Sequence, residues 1–130
     1  MRSFAKGDVL FEKKLASPGR GRVALFSTAT EDPNPIHVDD AFAAKAGFPN
    51  VLQQGPMTTA QFALLLSEIA GAPVLKSLDV AFTAPVYPDD ELILRAEVTD
   101  VGSTVRCALS ASKPDGTQTA KGTAELGVAG

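Results

Sequence analysis

Tryptophan is missing from this chain, and cysteine and histidine occur once each. A lone cysteine, Cys107, closes no internal disulfide and builds no cysteine-based zinc site, so disulfide frameworks and zinc ribbons are excluded. It reads as a small apolar residue of a strand rather than as a nucleophile. Long apolar runs are also missing. The longest, Phe62 to Leu66, is far too short to cross a bilayer. Met1 to Asp8 lacks an apolar stretch behind a basic region, so no secretory signal is expected. Basic residues are in the minority, 12 against 15 acidic ones, for a net charge of −3. No Lys/Arg stripe with interleaved aromatics occurs, which argues against binding a phosphate backbone. These absences predict a soluble, cytoplasmic protein with neither nucleic acid nor membrane as a partner.

What is present suits one domain over residues 1–130. A chain of this length buries roughly two thirds of its unfolded surface. It therefore folds without disulfides, and no metal or cofactor is expected.

The chain changes character once, near residue 71. Before it, Asp8 to Leu15 predicts a short strand, broken by Ser17-Pro18-Gly19. Val23, Phe26 and Ser27, at helical spacing, predict a short helix over Arg22 to Thr28. Pro33 and Pro35 make Thr30 to His37 a loop. Asp39 and Asp40 suit the cap of a short helix, Ala41 to Ala46, stopped at Gly47. Phe48 to Gln54 reads as loop. The longest helix is predicted over Pro56 to Ala70, with Pro56 in the first position, Gly55 as its cap, and Gly71 and Pro73 ending it. Met57, Ala60, Phe62, Ala63, Leu64, Leu65, Leu66 and Ile69 make it apolar on nearly every side, which predicts a buried helix.

Beyond residue 71 the periodicity is that of strands. Val74 to Thr83, Glu91 to Val101, Thr104 to Ser112 and Gln118 to Val128 are predicted. Gly102-Ser103 joins the second and third, and Lys113-Pro114-Asp115-Gly116 forms the last hairpin turn. Antiparallel strands beside one buried helix imply an α+β layout. With the N-terminal strand, five strands can wrap the helix as a curved sheet, the hot-dog shape.

The most informative stretch is Glu31-Asp32-Pro33-Asn34-Pro35-Ile36-His37. It holds the only histidine, five residues after Asp32. Each proline fixes its own φ and restricts the residue before it, so the loop can hold a carboxylate and an imidazole at a set separation. Such a pair can grip one water, take a proton from it and return one to a substrate. Imidazole suits this because it ordinarily titrates near neutrality. Read singly, the same residues have plainer uses: Asp caps turns, Asn forms them, and a lone histidine often serves structure. Spacing alone leaves both readings open.

A second feature is Gln54-Gly55-Pro56, at the start of the long helix. Helix N-termini offer unpaired N–H groups and the positive end of the dipole. Pro56 has no N–H, so Gly55, and one turn in Met57 and Thr58, would be the donors. Gly55 admits close approach of a ligand atom. A carbonyl oxygen placed there would be polarised as negative charge develops on it. Ordinary capping is the plainer use of this feature. Together, a water-activating loop and a carbonyl-polarising helix end are what hydration of a conjugated thioester needs.

Asp32-Pro33-Asn34-Pro35-Ile36-His37 resembles the hydratase motif, Asp-x-Asn-Pro-(aliphatic)-His, of the MaoC-like (R)-specific enoyl-CoA hydratases and dehydratases. Phe48-Pro49-Asn50-Val51, the Gly before a long helix, and the segment Phe82 to Leu92 are similar to the family in the same order. The likeness spans about Val23 to Leu94. It implies a hot-dog fold, a homodimer with sheets joined edge to edge, and a site near the dimer interface. It also implies Asp32 and His37 as the catalytic pair, Asn34 orienting the loop or a substrate group, and the Gly55 N–H binding a thioester carbonyl. Gln54 and Met57 complete the candidate substrate-binding residues, and the substrate would be an acyl thioester of coenzyme A or acyl carrier protein. Two departures stand out. Gln54 replaces the family's common His and cannot carry a proton at neutral pH, and Asp89-Asp90 replaces a usual Gly-Asp turn.

Other functions compete. A hot-dog thioesterase needs a carboxylate aimed at the thioester carbon; Glu68, the helix's only acid, lies at the far end from Gly55. An accessory subunit that binds acyl groups, or a tailoring dehydratase acting on a non-thioester, would share the fold. Phe48, Val51, Leu52, Met57, Phe62 and Leu66 are candidates to line the pocket. Arg20, Arg22, Lys45, Lys76, Arg95 and Arg106 are candidates to meet phosphates, though scattered solvated charges are the plainer reading.

Overall fold

A computed structural model describes residues 3–31, 34–69 and 74–127. Five strands, β1 (Val9–Leu15), β2 (Val74–Phe82), β3 (Leu92–Val101), β4 (Thr104–Ser112) and β5 (Gln118–Gly127), form one sheet in the order β1-β3-β4-β5-β2. Every pairing is antiparallel, and β1 and β2 are the edges. Helices α1 (Gly19–Ala29), α2 (Asp40–Lys45) and α3 (Gly55–Ser67) lie between β1 and β2 in the chain, with a 3-10 turn at Pro35–His37.

The alternation in β3 and β4 does what its period requires. Leu92, Leu94, Ala96 and Val98 point inward, as do Val105, Cys107, Leu109 and Ala111, and all are buried. Cross-strand register sets small residues beside large ones, since Ala96 faces Leu109, which faces Gly122, and pairs two small ones where Ala111 faces Ala120. Those small positions make room for α3, whose Phe62 and Leu66 are fully buried in the same core. Gly122 has a second reason to be glycine. A side chain there would collide with the carbonyl of Asp79 on β2.

The predicted strands match within a residue or two at their ends; Val128 lies outside the described residues. Gly116 takes φ 94° in the last hairpin, and the Thr117 N–H donates to Asp115 Oδ1 at 2.8 Å, so the turn forms as its residues predict. Asp39 caps α2 through the N–H groups of Ala41 and Phe42, and Gly47 (φ 93°) follows its end.

Three expectations need correction. The first helix runs from Gly19 to Ala29, so Ser17-Pro18-Gly19 starts it rather than only ending the strand. The long helix begins at Gly55, with Gln54 as its cap, and ends at Ser67 with Glu68 as C-cap; Ala70, Gly71 and Pro73 lie outside the described residues. This helix is also not buried on every side. Thr58, Phe62 and Leu66 are its buried residues, whereas Leu64 is 53% exposed. One stripe faces the sheet, and none of the described elements covers the other. Among the described residues, no helix is long and apolar enough to cross a membrane.

Candidate active site

Asp32 and Pro33 lie outside the described residues, so the motif enters the structure at Asn34. Asn34 caps the 3-10 turn: its Oδ1 accepts the Ile36 N–H at 3.1 Å, and Pro35 fills the first position, where no N–H is needed. The turn carries the half-buried His37 to the backbone of Leu52. There the Leu52 N–H donates to Ile36 O at 3.0 Å, and His37 Nδ1 lies 2.8 Å from Leu52 O. A carbonyl oxygen only accepts, so Nδ1 carries the hydrogen and Nε2 is the basic nitrogen of the neutral ring.

Leu52 begins a three-residue junction. Gln53 donates twice to the loop before β3, from its N–H to Val86 O (2.7 Å) and from Nε2 to Tyr87 O (2.8 Å). Gln54 donates from Nε2 to Val23 O (2.8 Å) and Ser27 Oγ (2.6 Å) on α1. Consecutive residues thus bind the motif turn, the loop before β3, and α1. The next residue, Gly55, opens α3.

As the first residue of α3, Gly55 has no intrahelical acceptor for its N–H, which is therefore among the donors a helix start offers. The Met57 N–H, expected to be open as well, donates to Gln54 O at 3.1 Å. The space beside the Gly55 Cα is taken by protein. A side chain at 55 would meet the Phe82 ring at 2.7 Å, so anything larger than glycine there must displace that ring on β2.

Two cavities flank the start of α3. One, of about 410 Å³, is lined by Gly55, Gln54, Phe48, Leu52, Phe82 and Val86 among others. The other, of about 340 Å³, is lined by Met57, Gln61, Leu15, Arg22 and Asp90 among others. Gln53 and Thr58 border both. Leu52, Gln54 and Gly55 thus line one cavity and Met57 the other, and His37 is linked to the first through its bond to Leu52 O. Of the apolar pocket candidates, Phe48 and Leu52 line the Gly55 cavity. Val51 is buried, and Phe62 and Leu66 belong to the core.

Several charged candidates have protein partners. Arg20 Nη1 donates to Asp40 Oδ1 and Asn50 Oδ1, each at 2.9 Å, and this bond holds the Asp40 carboxyl below its ordinary value. Arg95 pairs with Glu12 and Glu97, and Arg106 with Glu125. Glu68 is exposed at the far end of α3. Sequence reasoning missed the part played by Gln53 and Phe82. Two adjacent glutamines before Gly-Pro were the available signal for the first. Phe82 stood out only through the likeness of its segment.

A family model described as MaoC like domain matches residues 5–120. The chain is 32% identical over 105 residues to an (R)-specific enoyl-CoA hydratase of Aeromonas caviae, covering 79% of this chain and 72% of that protein. It is 33% identical over 87 residues to a mitochondrial 3-hydroxyacyl-[acyl-carrier-protein] dehydratase of Arabidopsis thaliana. That match covers 67% of this chain and 51%, about half, of the plant protein. Among solved structures, the (R)-hydratase from A. caviae involved in PHA biosynthesis superposes with a TM-score of 0.87 at 24% identity, covering 99% of this chain and 100% of the other. This likeness shows the fold, a hot-dog.

Proposed function

The chain belongs to the MaoC-like domain family, and from that premise we propose that it is a hydro-lyase acting on acyl thioesters. It adds water to a trans-2-enoyl thioester to give an (R)-3-hydroxyacyl thioester, or runs the reverse dehydration. The carrier is coenzyme A or acyl carrier protein, the two named for its relatives.

The observation that carries this reading is the bond from His37 Nδ1 to Leu52 O, three residues before Gly55. It ties the imidazole, the proposed proton-transferring group, to the backbone that leads into α3, and with Nδ1 donating, Nε2 is the basic nitrogen. In the proposed reaction the thioester oxygen accepts the Gly55 N–H. Asp32 and His37 share one water over the β-carbon. The pair removes a proton as the water oxygen bonds to that carbon. The π electrons move toward the carbonyl, and the pair delivers a proton to the α-carbon. One C=C bond is consumed and one C–O and one C–H bond form. No redox partner enters the balance, so the proposal needs no cofactor.

We further propose a homodimer. Two features support it: β2 is an exposed edge strand with Val74 and Phe82 about half exposed, and the outer stripe of α3 around Leu64 lacks a cover among the described elements.

The test is to mix purified protein with crotonyl-CoA and longer enoyl-CoA and enoyl-carrier-protein thioesters and follow loss of the conjugated absorbance. Loss with at least one substrate is expected. No loss with any of them contradicts the proposal, and release of free thiol instead points to a thioesterase.

A further inference from the structure

We infer that Gln54 is a positioning residue that latches the launching point of the motif loop to the carbonyl-binding end of α3. The inference rests on the hydratase reading above and deepens it.

Gln54 sits at the N-cap of α3, yet its side chain caps nothing there. It is 2% exposed and turns away from its own helix. Both hydrogens of its amide nitrogen are spent on α1, on Val23 O at 2.8 Å and on Ser27 Oγ at 2.6 Å. Val23 and Ser27 are one helical turn apart and are the buried residues of α1. The last turn of that helix closes immediately afterwards. Thr30 N–H and Oγ1 both donate to Phe26 O, Glu31 N–H donates to Thr28 O, and Glu31 takes a left-handed φ of 55°. The next residue in sequence is Asp32. Gln54 therefore joins two places that the proposed chemistry needs in register. Its neighbour Gly55 supplies the carbonyl donor, and Ser27 lies on the helix that leads in sequence to Asp32.

Packing alone does not account for this residue. Gln54 Oε1 is buried with no hydrogen-bond partner among the described residues. An unpaired buried acceptor is costly, and an apolar side chain of similar volume would avoid that cost. A glutamine kept here, with its acceptor idle and both donors used, fits a part that is defined by the donors. An amide also holds those donors at every pH, which leaves His37 as the chain's only imidazole.

The experiment compares Gln54→Met, Gln54→His and wild type by kcat and KM across pH with an enoyl thioester that wild type hydrates, and by amide hydrogen exchange over residues 23–31. Gln54→Met keeps the volume and removes the donors. Losing the idle Oε1 and stripping Ser27 Oγ of its donor oppose each other, so Tm should change little, while kcat is expected to fall about 10- to 100-fold with KM within about threefold. Exchange over residues 23–31 should quicken about tenfold. Gln54→His restores an N–H donor. It should recover most of kcat and exchange protection, and it should add a second break on the acid side of the kcat profile. Should Gln54→Met fail to fold, Ser27→Ala carries the same readings. Wild-type kcat and exchange in the donor-less variant overturn the latch, as does a His variant with neither recovery nor new break. If wild type hydrates no enoyl thioester, the hydratase reading falls by itself. Exchange alone then decides the latch: faster exchange in Gln54→Met supports it and unchanged exchange overturns it.

Discussion

His37 meets Leu52 through its ring, beside a backbone bond from the Leu52 N–H to Ile36 O, and the tautomer follows from which partner can only accept. In the proposed reaction this bond fixes which ring nitrogen exchanges the proton. His37→Ala and Asp32→Asn are each predicted to lower turnover by about 10²–10⁴-fold, the usual worth of positioned acid–base groups. Both variants should keep the wild-type circular dichroism spectrum, since each exchanges one side chain of a loop or turn; His37 is only half-buried and lies outside the core cluster. Cys107 is the contrary case, a reactive residue type made inert. It is 1% exposed, and burial pushes its thiol from the ordinary 9.0 up to about 11. Below pH 9 the thiol is neutral in folded and unfolded chains alike. Between 9 and about 11 the unfolded chain sheds the proton while the folded chain keeps it, so stability falls as pH rises through that window. Cys107→Ala should therefore show a shallower alkaline loss of stability than wild type in denaturant titrations at pH 8 to 11, and the native thiol should resist alkylation at pH 8.

Among the elements, α3 joins fold to site, and its contact with β2 explains Gly55. Gly55→Ala drives a methyl into the Phe82 ring. The ring lies on an exposed edge strand, so it can shift rather than unfold the chain. Hydration is expected to drop about 10-fold or more with a modest fall in Tm, since small misplacements at a site are costly. Adding Phe82→Ala should recover the Tm but not the full activity, because that ring also lines the cavity. Strands and turns were legible in the sequence because their signals are local. Alternation in Leu92, Leu94, Ala96 and Val98 and the Pro-Asp-Gly turn depend on near neighbours. The exposure of α3 was not legible, because its composition says that it is apolar and only the sheet's position says which stripe is covered. The same holds for the bonds of Gln54, whose partners lie 27 and 31 residues earlier. Closeness in sequence puts Met57 with Gly55. Helical rotation sends the two into separate cavities.

At the scale of the whole molecule, a sheet with an edge at β2 and a helix whose Leu64 face no described element covers predict self-association. Sedimentation equilibrium is expected to give twice the chain mass of 13.5 kDa. Replacing Leu64 by Glu, which puts charge into the uncovered stripe, should shift the population toward monomer if that stripe is buried between copies. A monomeric wild type would remove the dimer and leave the site in each chain unchanged. The most direct test of the central claim is hydration of crotonyl-CoA in water enriched in oxygen-18, with the 3-hydroxy product analysed by mass spectrometry. Wild type should place one labelled oxygen on the β-carbon in the (R) configuration, and Asp32→Asn and His37→Ala should lose that product together. Wild type that yields no labelled hydroxyacyl thioester, or variants that label as fast as wild type, would contradict the account.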